Sequence, residues 1–273
     1  MSLLEVRDLR VNFPGKGFRA KPVEVLHGID LHVDEGETLG LVGESGSGKT
    51  TIGRAVLGLV PLSGGEIRFD DRSIGGLSGR KRHEVAKDIQ VVFQDPYTSL
   101  NPSLTIGDIL SEPLVVQGAT PRDARATVRM LLDQVGLPAN AVERLPREFS
   151  GGQRQRIAIA RALAPGPRLI VCDEPVSALD LSTQALVLEL FMEIQRATGV
   201  AYLFISHDLA VIRHISHRVA VLYRGDLVET GPGPEVTSRP KHPYTEKLLL
   251  AAPVADPIEQ RRRRLERERL ASA

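Results

Sequence analysis

Eight residues at positions 43–50, GESGSGKT, constrain this chain more than any other stretch. They fit the pattern G-x-x-x-x-G-K-(S/T) and stand between an apolar run at 38–42 and a helical pattern that stops near Gly58. A turn of this kind needs a strand before it and a helix after it, so the chain must build a sheet covered by helices. Gly43, Gly46 and Gly48 let the backbone approach an anion closely. The amides of the loop, which also contains Glu44, Ser45 and Ser47, and the positive end of the helix beginning near Thr51 then meet its negative charge. Lys49 supplies a point charge suited to β and γ phosphates, and Thr50 a hydroxyl suited to magnesium. A Gly/Ser turn that only capped a helix would need neither the lysine nor the full spacing.

The rest of the chain reads as strands and helices around this loop. Short β-type runs at 3–11, 29–33 and 38–42 are expected to share one sheet. A strand at 66–69 precedes a polar stretch, and the apolar run 89–93 leads into a loop containing Pro96 and Pro102. From 106 to 163 the signal is helical, with periodic segments at 121–135 and after Ser150. Strand candidates at 169–172, 202–205 and 219–223 alternate with helical stretches at 181–197 and 209–215, which argues for a mostly parallel sheet. Arg224-Gly225 turns the chain into a last hairpin strand at 227–230, followed by a Pro-rich junction and a short appendix.

The run LIVCDE at 169–174 ends an apolar strand in two adjacent carboxylates. Strand alternation is expected to point them apart and so allow separate tasks. Asp173 suits a magnesium ion held through water, and Glu174 suits a base that polarises an attacking water.

Composition removes several alternatives. No apolar run approaches the roughly 18 residues of a membrane span, and MSLLEVRDLR has no basic flank leading into an apolar stretch, so the chain is expected in the cytoplasm. One cysteine, Cys172, excludes an internal disulfide or a cluster ligated by several cysteines of this chain; core packing is its expected role. A net charge of +1 makes no general case for nucleic acid, and the basic end, RRRRLERER at 261–269, reads as a solvated helix or tail, with contact to a membrane surface or partner loop as the alternative.

Phosphate loops and acidic strands also occur in kinases, GTPases and helicases. FSGGQ at 149–153, opening the helical run QRQRIAIARAL, separates this chain from them because it resembles the signature motif of ABC ATPases. Phe149 stands where that family usually has Leu. Ser150, Gly151, Gly152 and Gln153 offer a hydroxyl and open amides at a helix N-terminus, a second anion-binding arrangement. Further landmarks follow in the family's order. Gln94 in VFQDP resembles the glutamine joining the core to a helical subdomain, the SALD segment ending at Asp180 resembles the loop between two sites, and His207 in ISHD resembles the histidine that contacts the γ phosphate. VVFQDPYTSLNP at 91–102 and KHPYTEKLLLAAP at 241–253 resemble ATP-binding subunits of oligopeptide/dipeptide importers.

The resemblance covers about residues 3–256 and implies an α/β fold. In it, a P-loop (RecA-like) ATPase core carries an N-terminal antiparallel β subdomain and an inserted α-helical subdomain. The implied boundaries are an ABC ATPase domain at 1–255, with helices at about 95–165, and an appendix with basic tail at 232–273. ATP and Mg2+ are the implied ligands. Lys49, Gln94, Glu174 and His207 are the implied catalytic groups, and Thr50, Gln94 and Asp173 the implied magnesium ligands. Phe13 is favoured over Phe18 for stacking on adenine. In this family the signature of one subunit packs on the phosphate loop of another, so a second ATP-binding subunit, identical or related, is implied. So are integral membrane permease subunits, met through residues 95–101, and, indirectly, an extracytoplasmic solute-binding protein. The expected location is the cytoplasmic face of the cell membrane. Many relatives carry a C-terminal cysteine cluster; this chain has none, so no iron–sulfur centre is carried over. An ABC ATPase acting on DNA or the ribosome is the alternative, disfavoured by the lack of coiled-coil insertions, zinc modules or a second cassette.

Overall fold

The structure, a computed structural model, describes residues 2–15, 17, 21–251 and 261. Strand β1 (Ser2–Phe13) pairs antiparallel with β2 (Val23–Asp34), and β3 (Thr38–Val42) runs into the phosphate loop and helix α1 (Lys49–Val56). Then come β4 (Gly64–Phe69), β5 (Arg72–Ser73), α2 (Gly79–Ala86) and β6 (Ile89–Val92). Helices α3 (Pro96–Ser99), α4 (Ile106–Val116), α5 (Pro121–Gln134) and α6 (Gly151–Leu163) separate β6 from β7 (Leu169–Asp173). The chain continues through α7 (Leu181–Thr198), β8 (Ala201–Ser206), α8 (Leu209–Ile215), β9 (Arg218–Tyr223) and β10 (Asp226–Pro232), then α9 (Gly233–Val236) and α10 (Pro243–Ala251).

Two sheets result, a four-stranded one in the order β2-β1-β4-β5 and a six-stranded one in the order β10-β9-β3-β8-β7-β6. The first is antiparallel; in the second only β10 runs against its neighbour. This corrects one expectation, because 38–42 does not share a sheet with 3–11 and 29–33 but lies inside the larger one. The reason lies in its burial: all five residues of TLGLV are buried, as a strand covered on both faces requires, whereas β1 and β2 alternate. The polar stretch before β6 also holds a helix, α2, which buries none of its residues and so shows no apolar stripe.

Alternate residues of the larger sheet feed two separate cores. Ile170, Cys172, Tyr202, Phe204, Val219 and Val221 join the core containing residues of α4 to α8. Their neighbours Val171, Leu203, Ala220 and Leu222 join α1 and the antiparallel sheet in the other. Cys172 is fully buried in the first of these cores, and burial raises its thiol pKa well above the ordinary value. Among the described residues no helix is long and apolar enough to cross a membrane.

Register brings the chemistry to one edge. Val42 pairs with Ser206, and Asp173 with Ile205, so the carboxyl ends of β3, β7 and β8 lie side by side. Open α/β sheets bind ligands at that end.

Candidate nucleotide site

Where β3 gives way to α1, the backbone is shaped by glycine. A Cβ on Gly43 would lie 2.1 Å from the Leu222 carbonyl oxygen, and one on Gly48, at φ 110°, 2.7 Å from Leu26 Cδ2. Either would push the loop off the sheet. Lys49 is 4% exposed and donates from Nζ to the carbonyl oxygens of Gly43 at 2.7 Å and Glu44 at 2.8 Å. Burial pushes its pKa down, against the pull of Glu174, Asp173 and Glu44. The Ser47 hydroxyl is buried without a hydrogen-bond partner among the described residues, and none of them comes within 4 Å of a Cβ at Gly46. A buried hydroxyl with no partner among the described residues, an ammonium donating to two carbonyls and an open glycine together fit a phosphate chain.

Thr50 donates its hydroxyl to Asp173 Oδ1 at 3.0 Å. Burial raises the Asp173 pKa, with the Thr50 hydrogen bond opposing it. Two hard oxygens at this spacing beside the loop suit magnesium, which takes one or two protein ligands and completes its shell with phosphate and water. Among the described residues there is no group of three or more His, Cys, Asp or Glu side chains arranged for a metal.

Glu174 diverges from Asp173 for a reason other than strand alternation. β7 ends at Asp173, and Glu174 takes a left-handed backbone at φ 50°. Its N–H donates to the Ile205 carbonyl at 3.0 Å, and its carboxylate lies 3.0 Å from His207 Nδ1. The Glu174 side chain is 15% exposed and that of His207 55%, so the pair stands at the rim with the carboxylate inside. Lys49, Thr50, Asp173, Glu174 and His207 therefore converge, with Thr51 one residue further along α1.

Gln94 follows β6 on an exposed bend, and Phe13 ends β1 at 37% exposed. Phe18 and residues 262–269 of the basic tail lie outside the described residues.

The signature stands elsewhere. Ser150 is the N-cap of α6, its Oγ accepting from Gln153 N at 3.3 Å while Gln153 Oε1 accepts from Ser150 N at 3.0 Å. Phe149 is buried, and the Arg144 guanidinium lies 4.3 Å from its ring centroid, a cation–π contact that a leucine there could not make. A Cβ on Gly152 would lie 2.3 Å from Thr183 Cγ2, so this glycine is needed for α6 to approach α7. Asp180 caps α7, accepting from Thr183 N at 3.0 Å and Thr183 Oγ1 at 2.7 Å. The Ser182 and Thr183 hydroxyls hold its carboxyl well below the usual range. No hydrogen bond among the described residues joins 150–153 to 43–51. The N-termini of α1 and α6 are thus not joined to each other by any hydrogen bond among the described residues.

Two contacts on the phosphate loop were not anticipated. Gly225 N donates to the Ser47 carbonyl at 2.9 Å, and Glu44 N donates to the Tyr244 hydroxyl at 2.8 Å. RG at 224–225 is legible as a turn and HPYT as a family landmark, but neither motif says what it touches.

The family model described as "ABC transporter" matches residues 26–177. The glutathione import ATP-binding protein GsiA of Escherichia coli (strain K12) is 52% identical over 268 residues, covering 96% of this chain and 43% of the relative. GsiA of Shigella boydii serotype 4 matches with the same identity and coverage. The chain thus spans less than half the length of these curated relatives. Among solved structures, cbiO1 of Clostridium perfringens, part of the ABC transporter complex cbiONQ, superposes with a TM-score of 0.78 at 25% identity, covering 97% of this chain and 98% of that one. The ATP-binding cassette MJ0796, in a dimeric post-hydrolysis state bound to ADP and Pi, gives a TM-score of 0.74 at 27% identity, covering 84% and 98%. With the matched segment running through the phosphate loop and the acidic end of β7, the chain belongs to the ABC transporter family.

Proposed function

We propose that this chain is the ATP-hydrolysing subunit of an ABC importer of the oligopeptide/dipeptide class. The observation that carries this reading is the convergence of Lys49, Thr50, Asp173, Glu174 and His207 at the carboxyl edge of the larger sheet. The loop amides from Gly43 to Thr51 and the Lys49 ammonium bind the phosphates of ATP, and Phe13 stacks on the base. Glu174, held toward its task by His207, takes a proton from water as the water oxygen bonds to the γ phosphorus and the bridging oxygen leaves with ADP. Thr50, Asp173 and Gln94 would hold Mg2+, which would supply neutralisation of phosphate charge there.

Ser150, Gly151, Gly152, Gln153 and Asp180 serve the site of a second subunit, identical or related. Their separation from the chain's own loop supports that reading, as does the dimeric state in which MJ0796 was solved. ATP closes the pair, hydrolysis opens it, and permease subunits contacted through residues 95–101 convert the cycle into alternating access. An extracytoplasmic binding protein supplies solute, and the subunit sits on the cytoplasmic face of the membrane. Similarity to a glutathione importer's ATP-binding protein supports a peptide-like solute. Residues 1–255 form the cassette, with helices at 95–165, and 232–273 the appendix.

Purified protein should release phosphate from ATP only with magnesium, with no stimulation by DNA. Absence of turnover, or turnover dependent on DNA, would reject the reading.

A further inference from the structure

The last described helix reaches back to the phosphate loop. Tyr244 of α10 is 8% exposed, its ring lies 4.2 Å from that of Tyr223 at 35°, and its hydroxyl accepts the Glu44 N–H at 2.8 Å. The helix start is itself fastened to the sheet. Glu229 of β10 accepts from Lys241 N at 2.8 Å and His242 N at 3.1 Å, and Tyr244 N donates to His242 Nδ1 at 3.2 Å. The hydroxyl is therefore held in place by its own surroundings.

Its partner matters because the Glu44 N–H and the Gly43 carbonyl belong to one peptide plane. Tyr244 holds the nitrogen edge of that plane and Lys49 Nζ the oxygen edge, at 2.7 Å. With glycine on one side, the plane has little steric resistance to turning. When phosphate oxygens share the three ammonium protons with Gly43 and Glu44, the hold of Lys49 on the plane weakens, while that of Tyr244 does not.

We propose that Tyr244 is a positioning residue for nucleotide binding: its hydroxyl keeps the Gly43 carbonyl turned inward and so keeps the Lys49 ammonium aimed at the phosphates. The proposal rests on the phosphate loop being the ATP site. It assigns to the C-terminal segment a part in shaping a loop that lies 200 residues earlier in the chain.

Tyr244→Phe keeps the ring, its burial and its contact with Tyr223, and removes only the oxygen. The Glu44 N–H loses its partner at a part-buried position, so the melting temperature should fall by about 2–4 °C or less. Losing one neutral hydrogen bond that counts mainly in the bound state should raise Kd and KM for ATP about five-fold. The expected change in kcat is below about two-fold, the mark of a residue acting on binding. In protein labelled with 15N-glutamate, the Glu44 amide proton should move upfield. Unchanged affinity, or a fall in kcat with KM constant, would overturn the proposal. So would impaired binding in Tyr244→Leu with none in Tyr244→Phe, since the ring and not the hydroxyl would then act. If the unaltered protein binds no ATP, the nucleotide-site reading fails instead, which keeps the two failures apart.

Discussion

Glu174→Gln removes one negative charge and one proton-accepting oxygen while leaving the size and reach of the side chain unchanged. The backbone at φ 50° and its N–H bond to Ile205 do not depend on the carboxylate, so the amide should stay beside His207 Nδ1, which lies 3.0 Å from the Glu174 carboxylate in the unaltered protein. Geometry is retained and basicity is lost. A positioned general base contributes about 100-fold or more, so turnover should fall at least that far, equivalent to about 2.7 kcal/mol in the barrier. Binding should move the other way. Glu174 heads the carboxylates that attract the Lys49 ammonium, and removing its charge frees that ammonium for phosphate and lifts a repulsion near it. The variant should therefore bind ATP at least as tightly and accumulate with it as a closed dimer. Phosphate release at saturating ATP, a fluorescent-nucleotide titration and size-exclusion chromatography measure the three quantities. Hydrolysis near the unaltered rate would show that Glu174 is not the base.

Further outcomes test the rest of the site. Asp173 has a pKa raised in the folded protein, so its contribution to stability is fully present at low pH and is lost as pH rises through the folded pKa; Asp173→Asn should raise the melting temperature at pH 7 while abolishing magnesium-dependent turnover, and a lowered melting temperature would contradict this. Phe13→Ala should weaken ATP and GTP binding alike by about 1 kcal/mol if the ring stacks on the base, whereas equal affinities by calorimetry would place that role elsewhere. If the chain pairs with itself, Lys49→Ala and Ser150→Arg should each be nearly inactive, and mixed dimers should recover about a quarter of the activity when pairing is random and sites are independent; no recovery in demonstrated mixed dimers would argue against shared sites.

Several of these groups are visible without coordinates because their chemistry is local. The loop's lysine, threonine and glycines work through backbone geometry set within eight residues, GESGSGKT, and a strand ending in two acids is legible as a run of letters. Helices α5, α6 and α7 carry hydrophobic periodicity together with Thr120, Ser150 and Asp180 as caps, so both their faces and their starts can be read from spacing. Helix α2, with no buried residue, left no such trace. Which sheet receives 38–42 is a matter of long-range pairing, and local propensity is the same for a strand in either sheet.

The sequence by itself determined the strand-turn-helix that can take a phosphate, the acids at the end of β7, the order of the motifs and the single buried cysteine, because each depends on residue type and short spacing. Tertiary structure alone decided the pairing of Glu174 with His207, the fit of Gly152 beneath Thr183 and the reach of Tyr244 to Glu44. These join residues 33, 31 and 200 positions apart or depend on how helices approach one another. Side-chain contacts of that range follow from packing against shared sheets, which no local pattern encodes.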